Sequence, residues 1–209
     1  MLCAVVVASV IALNPDHHWR RIEVVGFEKP FHLLERISVD DERTGGIVWP
    51  GARGLAAYLS MHRELVAGLD VLEVGCGPGL VSLAARAAGA KSVLATDFDD
   101  DALDRVAQAS EGVVRTARFD LFGAAKLPPC DTLLAADCVY TPELADAMRR
   151  RAIEAATRGT RVVVADSQRW RWDTFAAGDQ VAKLGEETRD IRSLSTRGVP
   201  VNLFVSWEG

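Results

Sequence analysis

Three carboxylates and a phenol stand where they could do chemistry. Glu73 lies in the apolar run Val71-Leu72-Glu73-Val74, Asp97 ends the run Ser92-Val93-Leu94-Ala95-Thr96, and Asp137 and Tyr140 form an Asp-x-x-Y after Leu133-Leu134-Ala135-Ala136. The first run passes straight into Gly75-Cys76-Gly77-Pro78-Gly79. Glycines in such a turn accept φ > 0 and let a ligand lie against bare backbone. A helix is predicted to follow, because Leu80, Leu83, Ala84, Ala87 and Ala88 recur at the spacing of one buried stripe. Free N–H groups at its first turn would point at whatever is bound, so a nucleotide-like ligand is expected. The spacing is G-x-G-x-G, not the G-x-G-x-x-G of dinucleotide enzymes. Asp97 follows Gly75 by 22 positions. An acid at the tip of a second strand accepts hydrogen bonds from ribose hydroxyls. The alternative for Asp97 is a helix N-cap, a role that Asp99 could take instead.

The elements that must position these groups alternate. Strands are expected near 71–74, 92–96, 113–118, 131–136 and 160–165, and helices near 79–88, 100–109 and 143–157. This rhythm predicts a parallel sheet with right-handed crossovers. Thr141-Pro142-Glu143 is a helix start with a hydroxyl cap, a first-turn proline and an acid near the dipole. Upstream, Arg21–Val25 and Phe31–Arg36 suggest a hairpin. A helix after Pro50 carries Leu55, Tyr58, Leu59, His62 and Leu65 on one face. Downstream, Phe175–Lys183 is expected to be helical, and Leu184–Ile191 and Val201–Trp207 to be the last two strands, paired antiparallel. The expected fold is α/β: a doubly wound, mostly parallel seven-stranded sheet with an antiparallel last strand, plus an N-terminal hairpin and helix. One domain accounts for residues 1–209, with 1–50 as extension and hairpin and 51–209 as core. Ligands in such a sheet sit beyond the carboxyl ends of the strands, where the strand order reverses, and that is where these acids fall.

Of the 209 residues, 49% are apolar and 25% charged, a globular composition. The net charge of −5 disfavours a broad nucleic-acid surface. Cys3, Cys76, Cys130 and Cys138 show no C-x-x-C pair, so a reducing, cytoplasmic setting is expected, with an organelle left open. His17 and His18 are adjacent, and His32 and His62 isolated, so no metal site is expected. Residues 1–13 carry no charge, are too short to span a bilayer and lack the basic start of a secretory signal. A buried strand or extension accounts for them, and a targeting role stays open. Arg149-Arg150-Arg151 is expected to be a solvated helix face. The segment 166–173, with Trp170 and Trp172 between arginines, suits either protein contact or burial at the sheet edge.

The glycine turn with Glu73 before it and Asp97 after it resembles the seven-β-strand, S-adenosylmethionine-dependent methyltransferases. The segment Gly46-Ile47-Val48-Trp49-Pro50-Gly51-Ala52 and the Asp137-Cys138-Val139-Tyr140 motif are similar to those of the lysine-directed branch, whose members modify chaperones, valosin-containing protein and electron-transfer flavoprotein. The resemblance runs from about Ile22 to the C-terminus. It implies S-adenosylmethionine as cofactor, S-adenosylhomocysteine as product, and a protein lysine as acceptor, with neither nucleic acid nor membrane as partner. Gly75, Cys76 and Gly77 would then approach the methionine part, with Glu73 beside them. Asp97 would hold the ribose. Phe119 would lie against the adenine, with Asp120 near its amino group, and Phe98 would be a further cofactor-binding residue. Ala136 would face the cofactor through its backbone, Trp49 would close the pocket from the N-terminal side, and Asp137 and Tyr140 would stand at the acceptor channel. Core packing is the alternative for Phe119 and Trp49, and capping of the next helix for Asp137. A small-molecule N-methyltransferase, or a binding protein that keeps the fold without catalysis, remains an alternative function. A nicotinamide oxidoreductase is a more distant one.

Overall fold

A computed structural model describes residues 15–37, 44–167, 172–176, 185–186, 194 and 199–206. Strand β3 (Asp70–Val74) stands at the centre. On one side of it lie β4 (Ser92–Asp97) and β5 (Arg115–Arg118), and on the other β6 (Thr132–Ala136) and β7 (Arg161–Asp166), all parallel. Beyond β7 run β9 (Asn202–Ser206), antiparallel, and β8 (Gly185–Glu186), paired antiparallel to β9. The order β5-β4-β3-β6-β7-β9-β8 makes a seven-stranded sheet whose winding reverses at β3. That reversal opens the crevice beyond the carboxyl ends of β3, β4 and β6.

Each central strand is apolar on both faces, as expected for a sheet covered on both sides. Leu134, Val163 and Val71 pack with α1 (Pro50–Met61) and α2 (Leu80–Ala87) on one face. Their neighbours Leu133, Val162 and Leu72 pack with α4 (Pro142–Ala156) and α5 (Trp172–Ala176) on the other. The period of two along a strand forces this division. Helix α3 (Asp100–Ala109) begins at an Asp99 cap, whose side chain accepts from the Asp101 N–H at 3.1 Å. Thr141 caps α4 in the same way, accepting from the Leu144 N–H at 3.2 Å. Among the described residues no helix is long and apolar enough to cross a membrane.

Several expectations are corrected in detail. The first hairpin strand, β1 (His17–Ile22), starts and ends four and three residues earlier than Arg21–Val25. It pairs in register with β2 (Phe31–Arg36), from His17 opposite Arg36 to Ile22 opposite Phe31. The apolar Val24 and Val25 already belong to a turn, with the Phe27 N–H donating to Val24 O and Gly26 at φ 88°. Helix α1 stops at Met61, so His62 is its C-cap and Leu65 lies in a separate short turn. Arg151 is not solvated: it is buried over the Phe119 ring and donates to Leu121 O and Gly123 O. Arg149 and Arg150 instead pair with Asp146 on the outer side of α4, because each helical step turns the side chain by about 100°. Residues 1–13, 168–171, 177–183 and 187–191 lie outside the described residues, and with them parts of the terminal elements and of the tryptophan–arginine segment.

Candidate active site

The glycine turn is held by main-chain bonds to the neighbouring strand. The Cys76 N–H donates to Thr96 O at 3.0 Å, and the Gly77 N–H donates to Asp97 Oδ2 at 3.0 Å. Gly75 and Gly77 take φ values of 66° and 49°, the left-handed region. A Cβ on Gly75 would lie 2.5 Å from Cys138 Sγ, so the thiol occupies the space that glycine leaves. Asp97 Oδ1 also accepts from the Asp99 N–H at 3.1 Å. Since Asp99 caps α3, Asp97 serves as the strut that ties the glycine turn to the tip of β4. Burial pushes its carboxyl above the usual range. Glu73 lies deeper. Ser82 Oγ donates to it, and burial, with Asp97 adding repulsion, pushes its pKa up to about 8. Glu73 is therefore mainly neutral at pH 7. The same burial holds the Cys76 and Cys138 thiols well above the ordinary thiol value, so both are packing groups rather than nucleophiles.

Asp137 stands across the crevice at the tip of β6. It is buried and has φ 54°, a left-handed backbone that only the surrounding structure sustains in a non-glycine residue. Its own N–H donates to Ala165 O at 2.9 Å. Its Oδ1 accepts from both the Ser167 N–H at 2.9 Å and the Ser167 hydroxyl at 2.6 Å, and its Oδ2 accepts from the Ala52 N–H at 3.2 Å. The carboxylate thus sits at the N-terminus of α1, where the helix dipole favours an anion. It does not cap the following helix, which Thr141 caps. Gly51 permits the approach: a Cβ there would come within 2.5 to 2.8 Å of the carboxylate atoms.

These two constellations border one cavity of about 680 Å³. That volume lies within the ordinary range for ligand pockets. Glu73, Gly75, Cys76, Gly77, Asp97, Phe98, Ala136, Asp137 and Tyr140 line it, with Trp49 on the facing side. Phe98 is 60% exposed and forms part of the rim. Two of the expected residues are absent from the lining. Phe119 is buried on the α4 face beneath Arg151, so core packing accounts for it. Its N–H donates to Asp97 O at 2.9 Å just past the end of β5, and its ring packs in the cluster under α4. Asp120 is exposed and accepts from the Phe122 N–H at 2.9 Å within its own turn. Arg118 and Leu121, on either side of these two, are the residues of that segment that reach the cavity.

Sequence reasoning missed the groups that hold the front wall. Arg105 is fully buried and donates to Gly45 O at 3.0 Å, Gly46 O at 3.2 Å and Leu34 O at 3.3 Å, with Asp101 at 3.2 Å. Arg36 reaches Asp99 at 3.1 Å and Asp101 at 2.6 Å, and His17 reaches Asp101 at 3.0 Å. Together they pin the hairpin and the 44–46 turn against α3. A buried arginine is tolerated here because several acceptors meet it. Only an arginine at the buried stripe of an amphipathic helix hinted at this. Gly51 was seen only as part of the Trp49-Pro50 motif, with nothing to tie it to Asp137, and Ser167 carried no signal beyond its residue type.

A family model described as lysine methyltransferase matches residues 34–175. Over 140 residues the chain is 31% identical to the electron transfer flavoprotein beta subunit lysine methyltransferase of Danio rerio, covering 61% of this chain and 51% of that protein. Its Rattus norvegicus counterpart is 28% identical over 172 residues, covering 73% and 64%. The chain therefore spans between half and two thirds of these curated relatives. Among solved structures, the magnesium protoporphyrin IX methyltransferase of Synechocystis with bound S-adenosylmethionine superposes with a TM-score of 0.54 at 17% identity, covering 76% of this chain and 78% of that one. That likeness bears on the fold alone.

Proposed function

The chain belongs to the lysine methyltransferase family, and we propose that it moves a methyl group from S-adenosylmethionine to a lysine side chain of a partner protein. One observation carries the reading: a buried, hydrogen-bonded carboxylate in strained backbone, Asp137, borders the same cavity as the glycine turn, with Tyr140 on that lining too. The residues present fit the cofactor. Gly77, at φ 49°, suits glycine, and a Cβ there would stand a tight 3.3 Å from Gly45 O, so the bare backbone of the turn faces the cavity. Asp97, braced by two main-chain donors, would accept hydrogen bonds from the ribose hydroxyls, and the turn from Gly75 to Gly77 would receive the methionine part. Phe98 and Ala136 would border the nucleoside. When bound, S-adenosylmethionine supplies a methyl group on a sulfonium, a good leaving group.

The protein's own work is alignment, exclusion of water and handling of one proton. Ile47, Val48, Trp49, Tyr140 and Leu144 supply apolar and aromatic wall for the lysine stem. A free lysine has a pKa of about 10.4, and the attacking amine must be neutral. An apolar channel lowers that value, whereas a nearby carboxylate raises it. Asp137 therefore acts by orienting the amine and taking its proton, while the walls favour the neutral form. The name of the relatives makes the electron-transfer-flavoprotein beta subunit the first acceptor to test. Free Cys76, Cys130 and Cys138 support a reducing compartment, such as the cytoplasm, for this enzyme.

The test is incubation with tritiated S-adenosylmethionine and a cell lysate, with and without added beta subunit, followed by mass spectrometry. Label on a protein lysine is the expected result. Label confined to the small-molecule fraction would replace this acceptor class with a metabolite amine.

A further inference from the structure

Asp137 is worth little to the reaction unless its carboxylate is aimed. The torsion that turns a carboxylate plane is soft and roughly two-fold, so burial by itself does not choose an edge. The choice is made from β7. Ser167 is buried and follows the last residue of that strand. Its N–H and its hydroxyl both close on the same atom, Asp137 Oδ1, at 2.9 and 2.6 Å. Parallel pairing of Ala136 with Ala165, and the Asp137 N–H donating to Ala165 O, bring the two residues side by side. With Oδ1 gripped, Oδ2 is turned to the Ala52 N–H at the start of α1. That helix start carries Trp49 as its N-cap, on the cavity wall.

We propose that Ser167 is a positioning residue for methyl transfer, acting through Asp137. It locks one carboxylate oxygen from β7, so the other edge is held against the start of α1 and the acceptor side of the cavity. The proposal rests on the role given to Asp137 above. It adds that the aim of Asp137 comes from a hydroxyl 30 positions away in the chain. It also explains how a non-glycine residue stays at φ 54°: three donors and one ladder bond over-determine it.

The decisive variants are Ser167→Ala and Ser167→Thr, each read in two ways. With the acceptor that takes the label, Ser167→Ala should lower kcat by about tenfold or more, while KM and Kd for S-adenosylmethionine stay within about twofold. Amide hydrogen exchange at Ala52 should quicken by about tenfold while amides of β3 keep their protection. Ser167→Thr, which keeps the hydroxyl, should restore both readings to within about threefold of the unmodified chain. Unchanged kcat, unchanged exchange at Ala52, or a fall in kcat matched by an equal loss of cofactor binding would each overturn the proposal. The exchange reading needs no acceptor. If no protein takes label, the functional reading fails, and Ala52 still decides whether Ser167 holds Asp137.

Discussion

The tips of β3 and β4 and the tips of β6 and β7 border the same cavity but are held by different means. At β3 and β4 the work is done mostly by backbone. Three glycines in five residues carry positive φ, and Asp97 braces Gly77 from 20 positions away. At β6 and β7 the work is done around one side chain, whose donors come from 85 and 30 positions away. The first half is a local cradle for a ligand of fixed shape. The second is a junction of three elements that can be retuned by single residues. A fold that serves one cofactor and many acceptors is expected to divide in this way, since specificity resides in grafted sites rather than in the scaffold.

The comparison can be broken most directly by exchanging the two acids. Asp137→Asn should cut turnover about a hundredfold or more while cofactor affinity stays within about threefold, in keeping with the worth of a placed acid–base group. Asp97→Ala should do the reverse, weakening cofactor binding about tenfold or more through lost hydrogen bonds to a charged group. Calorimetry and label transfer measure the two effects, and equal losses in both variants would erase the division.

Two glycines give a smaller contrast. Gly79 has φ 85°, and a Cβ there would stand 2.7 Å from Val106 Cγ2. Gly79→Ala should therefore cost about 2 kcal/mol of stability by strain and overpacking, read in urea unfolding. Gly51→Ala would drive its Cβ onto the Asp137 carboxylate and should show mainly in kcat. The outcome that defeats this contrast is a Gly51→Ala chain with full turnover.

The last contrast belongs to Glu73 and is one of pH. Its pKa is raised by burial from 4.5 to about 8, so the native state holds a proton that the unfolded chain releases. Stability from this group is complete below pH 4.5 and is lost as pH rises towards 8. The slope across that window should approach one proton, at most about 1.4 kcal/mol per pH unit. Glu73→Gln should flatten the curve and melt higher than the unmodified chain at pH 8. Parallel curves for the two chains would mean that Glu73 is ionised in the fold.

Much of this architecture was legible one segment at a time. Val71–Val74 and Leu133–Ala136 are apolar runs of strand length, bounded by turn residues, and both are strands. The choice between Asp97 and Asp99 as the cap of α3 could be narrowed because two acids stood where one cap was needed. Phe119 could not be placed, since an aromatic at the end of a strand suits a core or a ligand equally. Its face was settled by Arg151 and α4. Arg151 itself was misread because three adjacent arginines look like a solvated surface, although successive residues on a helix point in different directions.

What the chain alone determined is therefore the order and kind of its elements and the glycine cradle between β3 and α2. These depend on periodicity and on backbone conformations that neighbouring residues impose. The tertiary structure alone decided that Gly51, Ala52 and Ser167 meet Asp137, and that Arg105 gathers the carbonyls of the front wall. Each of those contacts joins residues 30 or more positions apart. Hydrophobic pattern states which face is buried, and only packing states which partner waits there.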